Sequence, residues 1–229
     1  MSFSTDVEII FPGLVHFQYN TQYEVASTFL RLQEFYESAY DDIKGKVFDL
    51  ETYMDAYAED KGNFTYTADW SGFNVPGEVA DNFNDLYSEK MLTKEYDLFD
   101  LITEHTHQFE KYYIIASSKY GGMYNDPREV QNHELAHGMC YLVPEYQQEQ
   151  QAVVDIIKEE HPIFAKKLVE MGYCDDVIDD ELHSYFATST MTYLADEGFK
   201  DCVIPWQLVL KAQRIFENHY ERLTSEEEE

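Results

Sequence analysis

The spacing of apolar residues predicts a chain made mostly of helices. Between residues 21 and 40, apolar side chains recur every three or four positions, which is the period of one helix face. Thr21 and Glu24 have the spacing of a capping box, in which each side chain bonds the other residue's backbone, so a helix is expected to begin there. Similar patterns predict helices over 50–58, 78–110, 128–142, 148–159, 162–171, 179–195 and 205–222.

Three segments have strand patterns instead. Residues 112–117, YYIIAS, form a continuous run of apolar, β-branched and aromatic residues, which is the strongest strand signal in the chain. Residues 7–17 predict a short strand followed by a turn at Pro12 and Gly13. Residues 63–75 alternate aromatic and polar side chains, which favours extended chain or a hairpin. The predicted fold class is therefore α+β, predominantly helical, with a small sheet.

The length of the chain predicts a single domain over residues 1–229. Chains of up to about 250 residues are routinely single domains, and no linker rich in Pro, Gly or Ser interrupts this one. Within that domain we distinguish an aromatic-rich part over 1–110, a part over 111–225 that carries the candidate chemistry, and an acidic tail over 226–229.

The charge of the chain limits its partners. It has 45 acidic and 16 basic residues, a net charge of −29, which repels nucleic-acid phosphates and anionic lipid. We therefore expect no direct nucleic-acid binding and no membrane association. The excess of acid is compatible with a solvated surface, with adaptation to a saline cytoplasm, or with a surface that binds a basic protein partner or imitates DNA.

Three further features favour a cytoplasmic protein. The cysteines Cys140, Cys174 and Cys202 are odd in number and lack CxxC spacing, which favours a reducing compartment over a disulfide framework. The first residues, MSFSTDVEIIF, lack the basic and apolar regions of a secretory signal. No window approaches eighteen apolar residues, so no membrane span is predicted.

The central motif is His133-Glu134-Leu135-Ala136-His137 on the helix predicted over 128–142. Asp126 as N-cap and Pro127 as first helical residue mark the start of that helix. Positions i and i+4 share a helix face, so His133 and His137 can converge on one Zn²⁺ ion. Glu134 is then placed to accept a proton from a zinc-bound water, which is the general-base role in a hydrolytic metalloenzyme.

The order of strand, turn and HExxH helix resembles the zincin metallopeptidases. The resemblance implies that the strand over 112–117 is an edge strand beside the active-site cleft, where an extended peptide substrate would pair with it. The six residues that follow His137, GMCYLV over 138–143, contain no third histidine, which excludes the metzincin subgroup. The match is therefore to gluzincin-like enzymes, in which a Glu on a later helix is the third ligand, and it stops short of a specific family.

Glu181, in the segment DDELHSYFA, is the third ligand that this resemblance favours. His183 is a rival, but in a helix the two side chains point about 200° apart, so only one can face the metal. Glu145, which follows the motif helix across a turn at Pro144, is a further alternative.

Two more residues of this segment have candidate roles. Tyr185 lies on the same helix face as Glu181 and is a candidate catalytic donor to an oxyanion, although an ordinary core aromatic has the same pattern. Asp180 is a candidate to orient His133 or His137. Cys140, one turn beyond His137, is interpreted as a small buried hydrophobe.

The sequence thus favours an intracellular zinc-dependent hydrolase, a metallopeptidase with Glu134 as general base and a peptide or protein as substrate. A zinc amidase on a similar scaffold is one alternative. The other is a non-enzymatic acidic protein that binds a basic partner or imitates DNA, with the HExxH helix structural or vestigial.

Overall fold

The computed structural model describes residues 3–120 and 126–225. They form a mostly helical α+β fold with a four-stranded mixed sheet, which confirms the predicted fold class. The chain separates into two compact units, which divide between Gln131 and Asn132. The predicted acidic tail over 226–229 lies outside the described residues.

The first unit contains the four strands found in the described part of the chain, together with five helices and the start of a sixth. Its elements are β1 (Thr5–Phe11), β2 (Leu14–Tyr19), α1 (Gln22–Glu37), α2 (Leu50–Lys61), α3 (Tyr66–Asp69), β3 (Gly72–Pro76), α4 (Gly77–Tyr87), α5 (Thr93–Thr106) and β4 (Tyr113–Ser118).

The sheet has the strand order β1-β2-β4-β3. A turn at Gly13, whose φ of 93° favours glycine, joins β1 and β2 into an antiparallel hairpin. The strand β4 pairs with β2 in parallel and with β3 in antiparallel orientation.

The expectation that residues 112–117 form an edge strand is wrong. Because β4 is hydrogen-bonded on both sides, it has no free edge on which a substrate could add a strand. Every residue of β4 is buried, and a continuous apolar run is the pattern of a strand covered on both faces rather than of an exposed edge.

Helix α1 packs its apolar face against the sheet. Its N-terminus has the predicted capping box: the Glu24 N–H donates to Thr21 Oγ1 at 3.2 Å, and the Thr21 N–H donates to Glu24 Oε2 at 3.0 Å. The ring of Phe29 stacks on Phe73 of β3 at a centroid distance of 5.7 Å and lies 6.4 Å from Phe17 of β2. These rings are at the centre of the core of this unit.

Residues 63–75 are only partly extended. The chain forms the short helix α3 before β3 begins at Gly72. The reason lies in Tyr66, which is completely buried and whose ring contacts those of Tyr53 and Tyr57 at 5.8 and 5.7 Å. A helical turn brings this side chain into the aromatic cluster, and that packing outweighs the local alternating pattern.

A buried ion pair joins α1 to α5. Arg31 Nε donates to Glu95 Oε1 at 2.8 Å, and Arg31 Nη2 donates to the other carboxylate oxygen. Both side chains are at most 4% exposed. The guanidinium also donates to the Lys90 carbonyl at 3.1 Å and lies over the Tyr87 ring, while Glu95 Oε2 accepts from the Leu92 N–H at 2.8 Å. Both members of the ion pair therefore have additional hydrogen-bond partners, as a stable buried pair requires.

The second unit is helical in its described residues. Its helix α9 packs against α7, α8 and α11, and no helix within 3–120 or 126–225 is long and apolar enough to cross a membrane. The predicted helix over 179–195 ends at Thr188 because Ser189 is extended. The elements are α6 (Pro127–Leu142), α7 (Pro144–Glu160), α8 (Ile163–Met171), α9 (Ile178–Thr188), α10 (Met191–Tyr193), a π-helical turn (Leu194–Gly198) and α11 (Trp206–Ser225).

Candidate metal centre

Helix α6 places the two motif histidines on one face. The helix begins at Pro127, and Asp126 Oδ1 accepts from the Arg128 N–H at 2.9 Å, as the predicted N-cap requires. One turn apart on this uninterrupted helix, His133 Nε2 and His137 Nε2 lie 3.2 Å from each other. His137 is buried, and the side chain of His133 is 18% exposed.

Helix α9 brings Glu181 to the same point. Glu181 Oε2 lies 3.3 Å from His133 Nε2, and Oε1 lies 3.6 Å from His137 Nε2. The carboxylate is buried, and Oε2 has no hydrogen-bond partner among the described residues. We call these three residues the metal triad.

The distances within the metal triad suit a tetrahedral ion. Ligand atoms 2.0–2.2 Å from a tetrahedral zinc ion are separated from one another by about 3.3–3.6 Å. The two imidazole nitrogens are 3.2 Å apart, His133 Nε2 lies 3.3 Å from Glu181 Oε2, and His137 Nε2 lies 3.6 Å from the other carboxylate oxygen, Oε1. The carboxylate therefore spans the histidine pair at about this spacing, one oxygen toward each imidazole. A buried carboxylate oxygen without a hydrogen bond is costly unless a cation faces it. The group can therefore hold a metal ion.

The two alternative third ligands are not members of the metal triad. Glu145 is exposed on α7, and its Oε2 accepts from Arg222 Nη2 at 3.2 Å. The imidazole of His183 is buried, and its Nε2 lies 3.1 Å from the carbonyl oxygen of Ala136. The structure brings Glu181, and neither of the other two, to the histidine pair.

Asp180 fixes the orientation of His137. The Nδ1–H of His137 is assigned as the donor to Asp180 Oδ2 at 2.7 Å, and Ser184 Oγ lies 3.2 Å from the same nitrogen. A proton on Nδ1 leaves the lone pair of Nε2 free to face a metal. The carboxylate that the sequence marked as a candidate to orient a motif histidine is therefore in contact with His137.

The electrostatics of this site favour a cation. Burial acts to lower the pKa of His137, but the negative charges of Asp180, Glu181 and Glu134 outweigh it and raise the pKa to about 10. Burial likewise opposes ionisation of Asp180, yet the neighbouring His137 holds the pKa of that carboxyl well below its usual range. A bound metal ion would take the place of the proton that these carboxylates attract.

Glu134 and Tyr185, the two candidate catalytic residues, both border the metal triad. Glu134 is buried directly beside His133 on α6, and its charge acts on His137. The ring of Tyr185 meets that of His133 edge-on at 4.8 Å, and its hydroxyl lies 3.1 Å from the hydroxyl of Tyr173. Burial raises the pKa of Tyr185 well above its usual value, so the phenol keeps its proton and can donate a hydrogen bond.

Three contributors to the site were missed in the sequence. Ser184 follows Asp180 by four residues on one face of α9, a spacing from which its contact with His137 could have been inferred. Tyr173 lies in the connection before α9 and has no sequence signal that relates it to the motif. The Cys140 thiol, interpreted as a hydrophobe, faces Asp180; burial and then this carboxylate raise its pKa to about 12.

Glu181→Ala is expected to weaken zinc binding by about tenfold or more. Loss of a residue that only supports a ligand costs about 10–100-fold in metal affinity, so loss of a ligand should cost at least as much. Competition with a chromophoric chelator measures the affinity, and Glu145→Ala is the matched control because that carboxylate is exposed. Equal affinity in wild type and Glu181→Ala would exclude Glu181 as a ligand.

Comparison of the chain with protein-family models, with curated proteins and with solved structures finds no match in any of the three.

Proposed function

We propose that the chain is a zinc-dependent hydrolase, and specifically a metallopeptidase of gluzincin-like design. The observation that carries this proposal is the spacing of the metal triad, where two imidazole nitrogens and a buried carboxylate converge within 3.2–3.6 Å. Two histidines and one carboxylate are a ligand set of catalytic zinc sites, in which the fourth position is left to water or substrate.

The residues around the metal triad support distinct roles in hydrolysis. A zinc ion held there would supply Lewis acidity and lower the pKa of a coordinated water. Glu134 accepts a proton from the attacking water and returns it to the leaving amine. The protonated phenol of Tyr185 donates a hydrogen bond to the oxyanion of the tetrahedral species, and the hydroxyl of Tyr173 positions that phenol.

We propose a peptide or protein as the substrate, and its charge follows from that of the chain. A net charge of −29 raises the local concentration of cationic molecules and increases their association rate. Peptides rich in Lys and Arg should therefore have a higher kcat/KM than acidic peptides of equal length, and the difference should shrink as ionic strength rises.

The first test of the function is metal content together with hydrolysis. Elemental mass spectrometry is applied to the purified wild type and to the His133→Ala/His137→Ala variant, and both are incubated with a mixed peptide library. We expect the variant to hold about one zinc ion per chain fewer than wild type. We expect cleavage only by wild type, and its loss on addition of a chelator.

Equal metal content in the two proteins, after zinc has been offered to both, would contradict the proposal. The acidic chain would then be better explained as a protein that binds a basic partner, and pull-down with a basic protein at low and high salt would test that role. Zinc bound at the metal triad without cleavage of any peptide would retain the metal site and reject the peptidase.

A further inference from the structure

A second group of ligand atoms lies beside the metal triad. Cys140 on α6 faces Asp180 and His183 on α9, and one potential ligand atom from each of the three lies within 4.8 Å of the others. None of these residues belongs to the metal triad. Asp180 serves both groups, because its Oδ2 is bonded to His137 while its Oδ1 faces His183.

The two ring nitrogens of His183 face different oxygen atoms, one on the backbone and one on Asp180. Its Nε2 lies 3.1 Å from the Ala136 carbonyl oxygen, which can only accept, so Nε2 carries the hydrogen of the neutral imidazole. The other nitrogen, Nδ1, then presents a lone pair. It lies 3.2 Å from Asp180 Oδ1, also a lone-pair atom, and it has no hydrogen-bond partner among the described residues.

Two facing lone pairs, one on a buried imidazole and one on an Asp180 side chain that is 37% exposed, are satisfied by a cation between or beside them. The imidazole of His183 is 2% exposed, so water does not reach it freely, and an unsatisfied polar atom there is costly. A second proton on His183 or a metal ion would both satisfy the pair. The sulfur of Cys140 at the same point distinguishes these, because a thiolate is a strong ligand for soft and borderline metals.

We propose that Cys140, Asp180 and His183 form a second metal site, selective for zinc or another thiophilic divalent ion. The separation of His183 Nδ1 from Asp180 Oδ1, 3.2 Å, is close to the value of about 3.3 Å between tetrahedral nitrogen and oxygen ligands of zinc. The two side chains contributed by α9 are already held in place: His183 is buried, and Asp180 is bonded to His137. The site does not depend on hydrolysis at the metal triad.

Cobalt provides the direct test, because Co²⁺ occupies zinc sites and a thiolate bound to it absorbs in the near ultraviolet. The full chain is titrated with Co²⁺ and its absorption recorded. We expect a thiolate-to-cobalt band in wild type and in His133→Ala, and none in Cys140→Ser. Metal content should also fall by about one ion per chain in Cys140→Ser.

Matched controls are Cys174→Ser and Cys202→Ser, which remove the other two half-buried cysteines and should keep the band. The second site would be overturned if the band persisted in Cys140→Ser. It would also be overturned if wild type showed no band at saturating Co²⁺. Loss of the band in His133→Ala alone would instead assign the metal to the metal triad, with Cys140 as a ligand of that site, and would also overturn it.

A measurement on wild type alone guards against a variant that fails to fold. Zinc should protect Cys140 from alkylation at alkaline pH, where the metal-free thiol ionises, because a coordinated thiolate no longer presents its lone pair to the reagent. Cys174 and Cys202 act as internal references in the same peptide map. Equal alkylation of Cys140 with and without zinc would contradict the proposal.

Discussion

Glu134→Gln is expected to lower kcat for peptide hydrolysis by about 10²–10⁴-fold, the usual contribution of a general base. The substitution keeps the shape of the side chain but removes the carboxylate that accepts the proton of water. Because Glu134 is not a member of the metal triad, zinc content should stay at the wild-type value. The measurement is kcat on the best peptide from the library, with metal content determined on the same samples.

The matched control is Glu145→Gln, which makes the same chemical change at an exposed residue. It should leave both kcat and zinc content unchanged. Retained activity in Glu134→Gln would reject the general-base role. Loss of both zinc and activity would show that Glu134 acts as a metal ligand rather than as the general base.

Arg31→Met is expected to cost about 3–5 kcal/mol in the free energy of unfolding. Removal of the guanidinium leaves the carboxylate of Glu95 buried, at 3% exposure, without its paired cation, while the Leu92 N–H still donates one hydrogen bond to it. Urea denaturation followed by circular dichroism measures the loss. The double variant Arg31→Met/Glu95→Leu should recover most of it, because no buried charge then remains unpaired.

The control for this comparison is Lys46→Met. Lys46 pairs with Asp42 at 3.4 Å, but both side chains are largely exposed, and such pairs contribute at most about 1 kcal/mol. If Arg31→Met cost no more than Lys46→Met, the ion pair between α1 and α5 would be structurally unimportant. If Arg31→Met/Glu95→Leu were as unstable as Arg31→Met, the lost stability would come from poorer packing rather than from an unpaired buried charge.

The elements of the fold were largely predictable, and their arrangement was not. Local signals marked α1 through its capping box, α6 through Asp126 and Pro127, and β4 through its apolar run. The position of β4 in the sheet depends on pairing with β2 and β3, segments far away in the sequence. The resemblance to zincins suggested an edge strand, whereas the continuous burial of β4 is that of an interior one.

In the candidate site, too, local sequence patterns predict some of the residues but not how they come together. The convergence of His133 and His137 follows from helix geometry alone, and the resemblance to gluzincin-like enzymes points to a Glu on a later helix, here Glu181. The contacts of Asp180 depend on how α9 packs against its neighbours, since one carboxylate reaches both His137 and His183. No pattern along the chain encodes that convergence. Cys140 was therefore interpreted from its own helix, where it resembles a hydrophobe.

The parallel pairing of β2 with β4 has a consequence for synthesis of the chain on the ribosome. Leu14 pairs with Tyr113, so β2 emerges long before its partner, by about 5–20 s at ordinary rates of translation. The hairpin of β1 and β2 is local and can form at once, but one edge of β2 stays unpaired throughout this interval. Nascent chains that stop before Tyr113 therefore expose an apolar strand edge, the kind of surface that chaperones protect and that aggregates recruit.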